Sequence, residues 1–332
     1  MHIREADRLM AGVRVYHVQF EVESEQAVEF NRLAGSALRG ALYHALSRQF
    51  CPDAGTRHLP RHQAACPVCW LLATEDPAQQ RGRDLPHPLA IRPPRGDRVY
   101  EAGERWAFGV ALVGERARAS LPYLVRAVQT MGAGGVGRGR GRFKLVNLRE
   151  TNPLLRTHHP LLRGEVVLSP GAPVTAALVR EAAAIHGGGS LTLHLLTPLR
   201  AGEEGRLMRW PDLRVIVRRL LERCQAMATH YGDPAPPPNA PSVSDPANWR
   251  AVHLRLGEAA AAARLIEDRT RWVEAWSNSR RTGRSSPVGG LVGWATWAGV
   301  QAALLPWLLW GQSLQVGKST VKGNGWYVVE GL

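Results

Sequence analysis

The order of elements in the sequence predicts an α+β fold of two tandem ferredoxin-like, RRM-like domains. Strand, helix, strand, strand, helix, strand can be read once in the first half of the chain and again in the second. In both halves a glycine-rich basic loop joins the last helix to the last strand, and such a repeat constrains the architecture more than either loop alone. A chain of 332 residues also exceeds the usual single-domain size, which fits two cores. The division is expected within "TNPLLRTHHPLL", giving domains of residues 1–155 and 156–332.

Taken in order, "VRVYHVQFEVES" places Tyr16, Val18, Phe20 and Val22 on one face, the period of a half-buried strand. A helix is expected from about Glu25 to Phe50, followed by a Cys/His/Pro insert over 51–85. Then come "HPLAIRPP" and "RWAFGVALVG" as strands, "SLPYLVRAVQTM" as a helix, "GAGGVGRGRG" as a loop and "RFKLVNLRE" as a strand. The second half reads "LTLHLLTPL" as a strand and "WPDLRVIVRRLLERCQAMATHYG" as a long helix. After them "RWVEAWSNSRR" and "VGGLVGWATWAGV" are strands, "AALLPWLLWGQSL" a helix and "GWYVVE" the closing strand. The proline-rich "GDPAPPPNAPSVSDPAN" is expected as a surface loop.

Composition narrows the function. With 45% hydrophobic and 21% charged residues the chain is neither disordered nor fibrous. Its 42 Lys+Arg against 28 Asp+Glu leave a net charge of +14, which favours a polyanionic partner. Four cysteines in a chain of this length do not make a secreted disulfide scaffold, and "MHIREADRLMAG" has no apolar signal core, so a cytoplasmic location is expected. Residues 288–317 carry no charge over a length that would span a bilayer. They include glycines, Gln301, Gln312 and Pro306, however, and divide into a strand and a short apolar helix, so no membrane association is expected.

All three lysines, Lys144, Lys318 and Lys322, lie in or beside the two glycine-rich loops. The loop over 311–325 contains Gly-Lys-Ser-Thr but is not a P-loop. That motif needs a glycine five residues before the Gly-Lys pair and a strand running into a helix, whereas position 312 is glutamine and a strand follows. Backbone binding of RNA accounts for both residue types: small residues such as Gly317, Ser319, Gly323 and Gly325 let phosphates approach exposed N–H groups, and Lys318 and Lys322 supply charge. In the first half Arg138, Arg140 and Arg142 alternate with glycine ahead of Lys144, a dense positive patch on an expected pliable backbone.

On the first helix Leu38, Leu42, Ala45 and Leu46 share one face at helical spacing, and His44 falls outside it. An exposed imidazole near a nucleic-acid groove can serve as general acid or base near neutral pH. Cys51, Cys66 and Cys69, the last two as "CPVC", together with His58 or His62 have the ligand count of a tetrahedral structural zinc site. Such a zinc would pin an insert too poor in apolar residues to hold itself. Cys224, on the apolar side of the arginine-rich helix, is expected in the core.

"LAGSALRGALYHAL", "GQSLQVGKSTVKGNGWYVV" and "HLLTPLR" followed by the arginine-rich helix, with "GRSSPVGGLVGWATW" before the last loop, resemble the RAMP superfamily of CRISPR systems. Within it the chain is most similar to the Cas6 precursor-crRNA endoribonucleases. The resemblance implies binding of CRISPR repeat RNA and its cleavage into mature crRNA by attack of a ribose 2′-hydroxyl, with no catalytic cofactor. His44 would be the counterpart of the family's first-helix histidine. Lys318, Arg48 or Tyr43 would stabilise developing charge or complete the acid/base pair, and Arg39 would join the two loops in holding RNA. Other Cas proteins of an effector complex are implied partners, and direct binding of DNA is not. Two other readings remain open at this point: a crRNA-binding RAMP subunit that does not cut, and an unrelated basic RNA-binding module.

Overall fold

The computed structural model describes residues 3–51, 53, 55–56, 59–73, 85–164, 166–233, 246–278 and 285–331. By packing, the chain forms two units whose membership interleaves along the sequence. One takes 16–152 and 156–173, the other 3–15, 153–155 and the described residues from 174 onward.

In the first unit the strand Val15–Ser24 buries Tyr16, Val18, Phe20 and Val22 as the alternation requires. The sheet order is 89–92, 105–113, 15–24, 143–152, 157–160. The first four of these give the 2-3-1-4 order of a ferredoxin-like unit, and the fifth, Thr157–Pro160, is an antiparallel addition on Phe143–Asn152. Two helices, Ala34–Phe50 and Leu121–Gly134, pack on each other, with the Phe50 and Tyr123 rings edge to face at 4.9 Å. An aromatic cluster fills the interior. Trp106 lies 5.1 Å from Phe30 and 5.3 Å from Phe143, and its indole N–H donates to Ser24 Oγ at 3.1 Å.

The first helix starts later than the sequence suggests, because residues 28–30 form a short strand paired with 98–100. Val28 and Phe30 are buried by that pairing, a tertiary gain that outweighs helical continuation. The insert is also more structured than expected. It holds two short helices, Pro60–Ala65 and Pro67–Leu72, and buries Val68, Leu71 and Leu72, so apolar contacts help to hold it. Residues 74–84 of the insert lie outside the described residues.

The second unit repeats the order. Its main sheet runs 264–268, 290–300, 189–199, 327–329, again 2-3-1-4, and Arg271–Val273 pairs beside Arg264–Asp268 on Gly290–Val300. The second strand position is thus filled by Arg264–Asp268, ahead of the "RWVEAWSNSRR" segment read as that strand. Three further helices were not anticipated, Ile3–Leu9, Ala176–His186 and Pro246–Ala261, the last packed against Leu213–Tyr231. Of the proline-rich stretch, residues 234–245 lie outside the described residues. The uncharged 288–317 run divides as expected into the strand Gly290–Val300 and the helix Leu305–Leu314, and no helix among the described residues is long and apolar enough to cross a membrane.

Helix Leu305–Leu314 is buried along its whole length, including Trp307 and Trp310, so every side of it must fit a neighbour. The tightest fit is at Gly311. The Tyr327 hydroxyl donates to Leu308 O at 2.6 Å, and a Cβ at position 311 would stand 1.9 Å from that hydroxyl oxygen. Gly311→Ala is therefore expected to lower unfolding free energy by about 1–3 kcal/mol through overpacking. Gly257→Ala, in helix Pro246–Ala261 with open space around its Cβ position, is expected to raise it by about 0.5–1 kcal/mol. Denaturant titration of the two variants against the parent chain checks both signs.

Candidate nucleic-acid interface

Helix Ala34–Phe50 buries Leu38, Leu42, Ala45 and Leu46, which turns His44 and Arg48 to solvent. Tyr43 is half-buried. Arg39 lies over its ring at 5.1 Å and donates to Leu72 O at 2.6 Å, so this guanidinium ties the helix to the insert.

The first glycine-rich loop is a built turn, not the pliable segment expected from its composition. Val136 and Gly141 form a bridge, and Arg138 N donates to Glu29 O at 2.9 Å. Gly137 has φ +73°, and a Cβ there would lie 2.3 Å from that same Glu29 oxygen. Gly135, Gly137 and Gly141 thus face protein backbone while Arg138, Arg140, Arg142 and Lys144 are exposed. Arg138 reaches Glu29 at 3.7 Å and Arg140 donates to Gly134 O at 3.0 Å. Lys144 pairs with Glu23 at 2.7 Å, and Lys144 and Arg105 together hold the Glu23 carboxyl below its ordinary range. Arg142 forms no ion pair among the described residues.

The second loop is fixed still more firmly. Val316 is fully buried and its N–H donates to Gly325 O at 3.0 Å. Gly325 has φ +70°, and a Cβ there would meet Val316 O at 1.7 Å. Lys318 N donates to Arg200 O at 2.9 Å, and the buried Asn324 amide donates to Val288 O at 2.6 Å. Ser319 caps the short 3₁₀ turn Thr320–Lys322 in a left-handed conformation, φ 63°. On this frame Lys318 is exposed and Lys322 donates to Ser277 Oγ at 3.2 Å. The loop leaves a helix and enters a strand, the reverse of a phosphate-binding P-loop.

One residue behind this loop gave no signal in the sequence. Arg223, buried in helix Leu213–Tyr231, donates from Nε to Leu314 O at 2.5 Å, at the C-terminal end of helix Leu305–Leu314. Burial brings its pKa down to about 10, so it is still a cation at neutral pH and satisfies a carbonyl that the helix cannot. Among a run of arginines on one helix, only the three-dimensional neighbour distinguishes it.

At the end of the His44 helix the structure brings together Cys51, His62, Cys66 and Cys69, with one ligand atom from each and all four atoms within 4.8 Å of one another. His62 is therefore the histidine of the cluster, and His58 lies outside the described residues. Burial, with the neighbouring thiols Cys66 and Cys51, pushes the Cys69 thiol up. Cys224 is buried in the other unit, as its helix position requires, and burial takes its thiol to about 12.

Comparison with known proteins gives the following likenesses. Residues 13–172 match the model of an N-terminal domain called AF_1859_N, and residues 193–327 match the model of the CRISPR-associated endoribonuclease Cas6. A search of curated proteins by sequence finds no match. Among solved structures, the Thermus thermophilus Cas6 is 16% identical with a TM-score of 0.54, over 96% of this chain and 98% of that one. A Cas6 product complex gives 16% and 0.54 over 95% and 99%. A partial Cas6-RT-Cas1–Cas2 complex gives 14% and 0.57 over 96% of this chain but only 46% of that chain, so this chain spans about half of that relative's length. At such identities the structures show a shared fold, the two-domain ferredoxin-like fold of Cas6. The later part of the chain, residues 193–327, is thus similar to the Cas6 endoribonuclease family, and the chain as a whole has the fold of Cas6 structures.

Proposed function

We propose that this protein binds CRISPR repeat RNA and cuts precursor crRNA into mature crRNA without a catalytic metal. The observation that carries the reading is His44, an imidazole turned to solvent on the first helix of a ferredoxin-like unit, opposite the stripe of Leu38, Leu42, Ala45 and Leu46 that is committed to the core. Two further features support it. The helix-to-strand connection of each unit is a glycine-framed loop with cations on its outside, the form expected of a surface that holds a ribose-phosphate backbone. The net charge of +14 supplies the long-range attraction.

RNA contains its own nucleophile. Loss of the proton from a ribose 2′-hydroxyl lets its oxygen bond to the adjacent phosphorus, and the bond from phosphorus to the 5′-oxygen breaks as that oxygen takes a proton. The products are a 2′,3′-cyclic phosphate and a 5′-hydroxyl. His44 serves as the general acid or base of this exchange. Lys318 stabilises the negative charge that builds on the phosphate oxygens, with Arg48 and Tyr43 as the other candidates on the His44 helix. Arg142 and Lys318, exposed and without an ion pair among the described residues, are the cations readiest to take phosphates. Other Cas proteins are proposed as partners, since a Cas6-containing relative of similar fold assembles with RT-Cas1 and Cas2.

Labelled repeat RNA incubated in EDTA with the parent chain should be cut once, leaving a cyclic phosphate. His44→Ala should slow the cut about 10²–10⁴-fold while RNA is still bound. Tight binding with no cut by the parent chain would make it a crRNA-binding subunit instead. Indiscriminate binding of any RNA would remove the CRISPR repeat from the reading.

A second measurement separates the role of the cations. In filter binding across a salt series, Lys318→Ala is expected to reduce the slope of log K against log[salt] by about 0.7, the value for one phosphate contact on a single strand. An unchanged slope would place Lys318 off the RNA.

A further inference from the structure

We propose that Cys51, His62, Cys66 and Cys69 bind one structural zinc ion that clamps the insert onto the end of the His44 helix. Around a tetrahedral zinc, with bonds of about 2.3 Å to sulfur and about 2.0–2.1 Å to nitrogen, two sulfurs stand about 3.8 Å apart and a sulfur and a nitrogen about 3.5–3.6 Å. In the structure Cys51 Sγ is 3.8 Å from Cys69 Sγ and 3.5 Å from His62 Nε2. These match two of the six edges of such a tetrahedron, and all four ligand atoms lie within 4.8 Å of one another. A disulfide requires its sulfurs about 2.05 Å apart, so at 3.8 Å Cys51 and Cys69 do not form one.

The histidine is set up from behind. Its Nδ1 lies 3.1 Å from Thr56 Oγ1, and that hydroxyl donates to Asp53 Oδ2 at 2.6 Å. With the hydroxyl proton committed to Asp53, the contact is made by Nδ1–H donating to Thr56, which leaves the Nε2 lone pair facing Cys51. A ligating histidine commonly has such a partner; a histidine without a metal has no need of this order.

The four ligands come from three local elements. Cys51 caps the C-terminus of helix Ala34–Phe50, His62 lies in Pro60–Ala65, Cys66 stands between the insert's two helices and Cys69 lies in Pro67–Leu72. An ion at their centre joins the insert to a helix whose His44 is about two turns upstream. With four protein ligands the coordination shell is closed, so the zinc holds structure and does not touch substrate.

The test measures metal in the full chain without RNA, so it stands or falls independently of the cleavage reading. Protein purified without chelator should contain one zinc per chain. Replacement by cobalt should give thiolate-to-cobalt charge transfer with the intense visible bands of a tetrahedral site. Cys69→Ser should lose the metal and melt at lower temperature, and Cys224→Ser should retain it. His62→Cys should also retain one zinc while its cobalt spectrum shifts toward that of four sulfurs, a readout that does not depend on the serine variant folding. Zinc-free parent protein that gives no cobalt spectrum would overturn the proposal. So would a Cys51–Cys69 disulfide found by mass spectrometry, or equal zinc loss in Cys224→Ser.

Discussion

The close approach of loop backbone to carbonyl oxygens at the junction of last helix and last strand is the constraint on which the candidate interface depends. At Gly137 and Gly325 a single carbon would collide with a main-chain oxygen. The loops can therefore turn only with glycine at those points, and the turn carries the intervening side chains outward. In the first unit this produces a row of arginines standing off a bridged turn, and in the second it produces Lys318 beside a buried Val316. The charge is mobile only at the ends of long side chains, while the backbone beneath is fixed by hydrogen bonds. Such an arrangement orders the binding groups before a ligand arrives and reduces the entropy lost on association.

The same economy is seen on the His44 helix. Its apolar stripe determines which residue faces out, its C-terminus supplies Cys51, and Arg39 on its flank reaches the insert through Leu72 O. One element thus sets the direction of the imidazole, one sulfur of the cysteine–histidine cluster and the seat of the insert. In the other unit Arg223 plays a comparable part, joining helix Leu213–Tyr231 to the last carbonyl before the second loop.

Where periodicity was strong, the sequence was enough to read. The alternation of Tyr16, Val18, Phe20 and Val22 placed the first strand, the Leu38–Leu42–Ala45–Leu46 stripe put His44 outside, and the repeated order of elements indicated the repeated sheet. Three kinds of feature could not be read. Residues 28–30 leave the helix because their partners are 98–100, a pairing with no local signature. Arg264–Asp268 is exposed along its whole length, so it carries no alternation to mark it as a strand and owes its form to its neighbour. The stiffness of "GVGRGRG" was hidden by composition, since glycine reads as flexibility until the atoms it makes room for are known.

The interleaving of the two units bears on how the chain must be made. Residues 3–15 belong with the later half: Glu5 pairs with Arg255, Asp7 with Arg180, and Val15 bridges Val174. During synthesis these residues emerge before their partners, which lie about 160 to 250 positions later, a span that favours slow, long-range closure. The first unit can assemble in the meantime, because its own strands among the described residues all lie between residues 15 and 167. A cut between the halves would therefore take from the later unit a segment it cannot replace, and the protein is one object to the ribosome even where it is two to the eye.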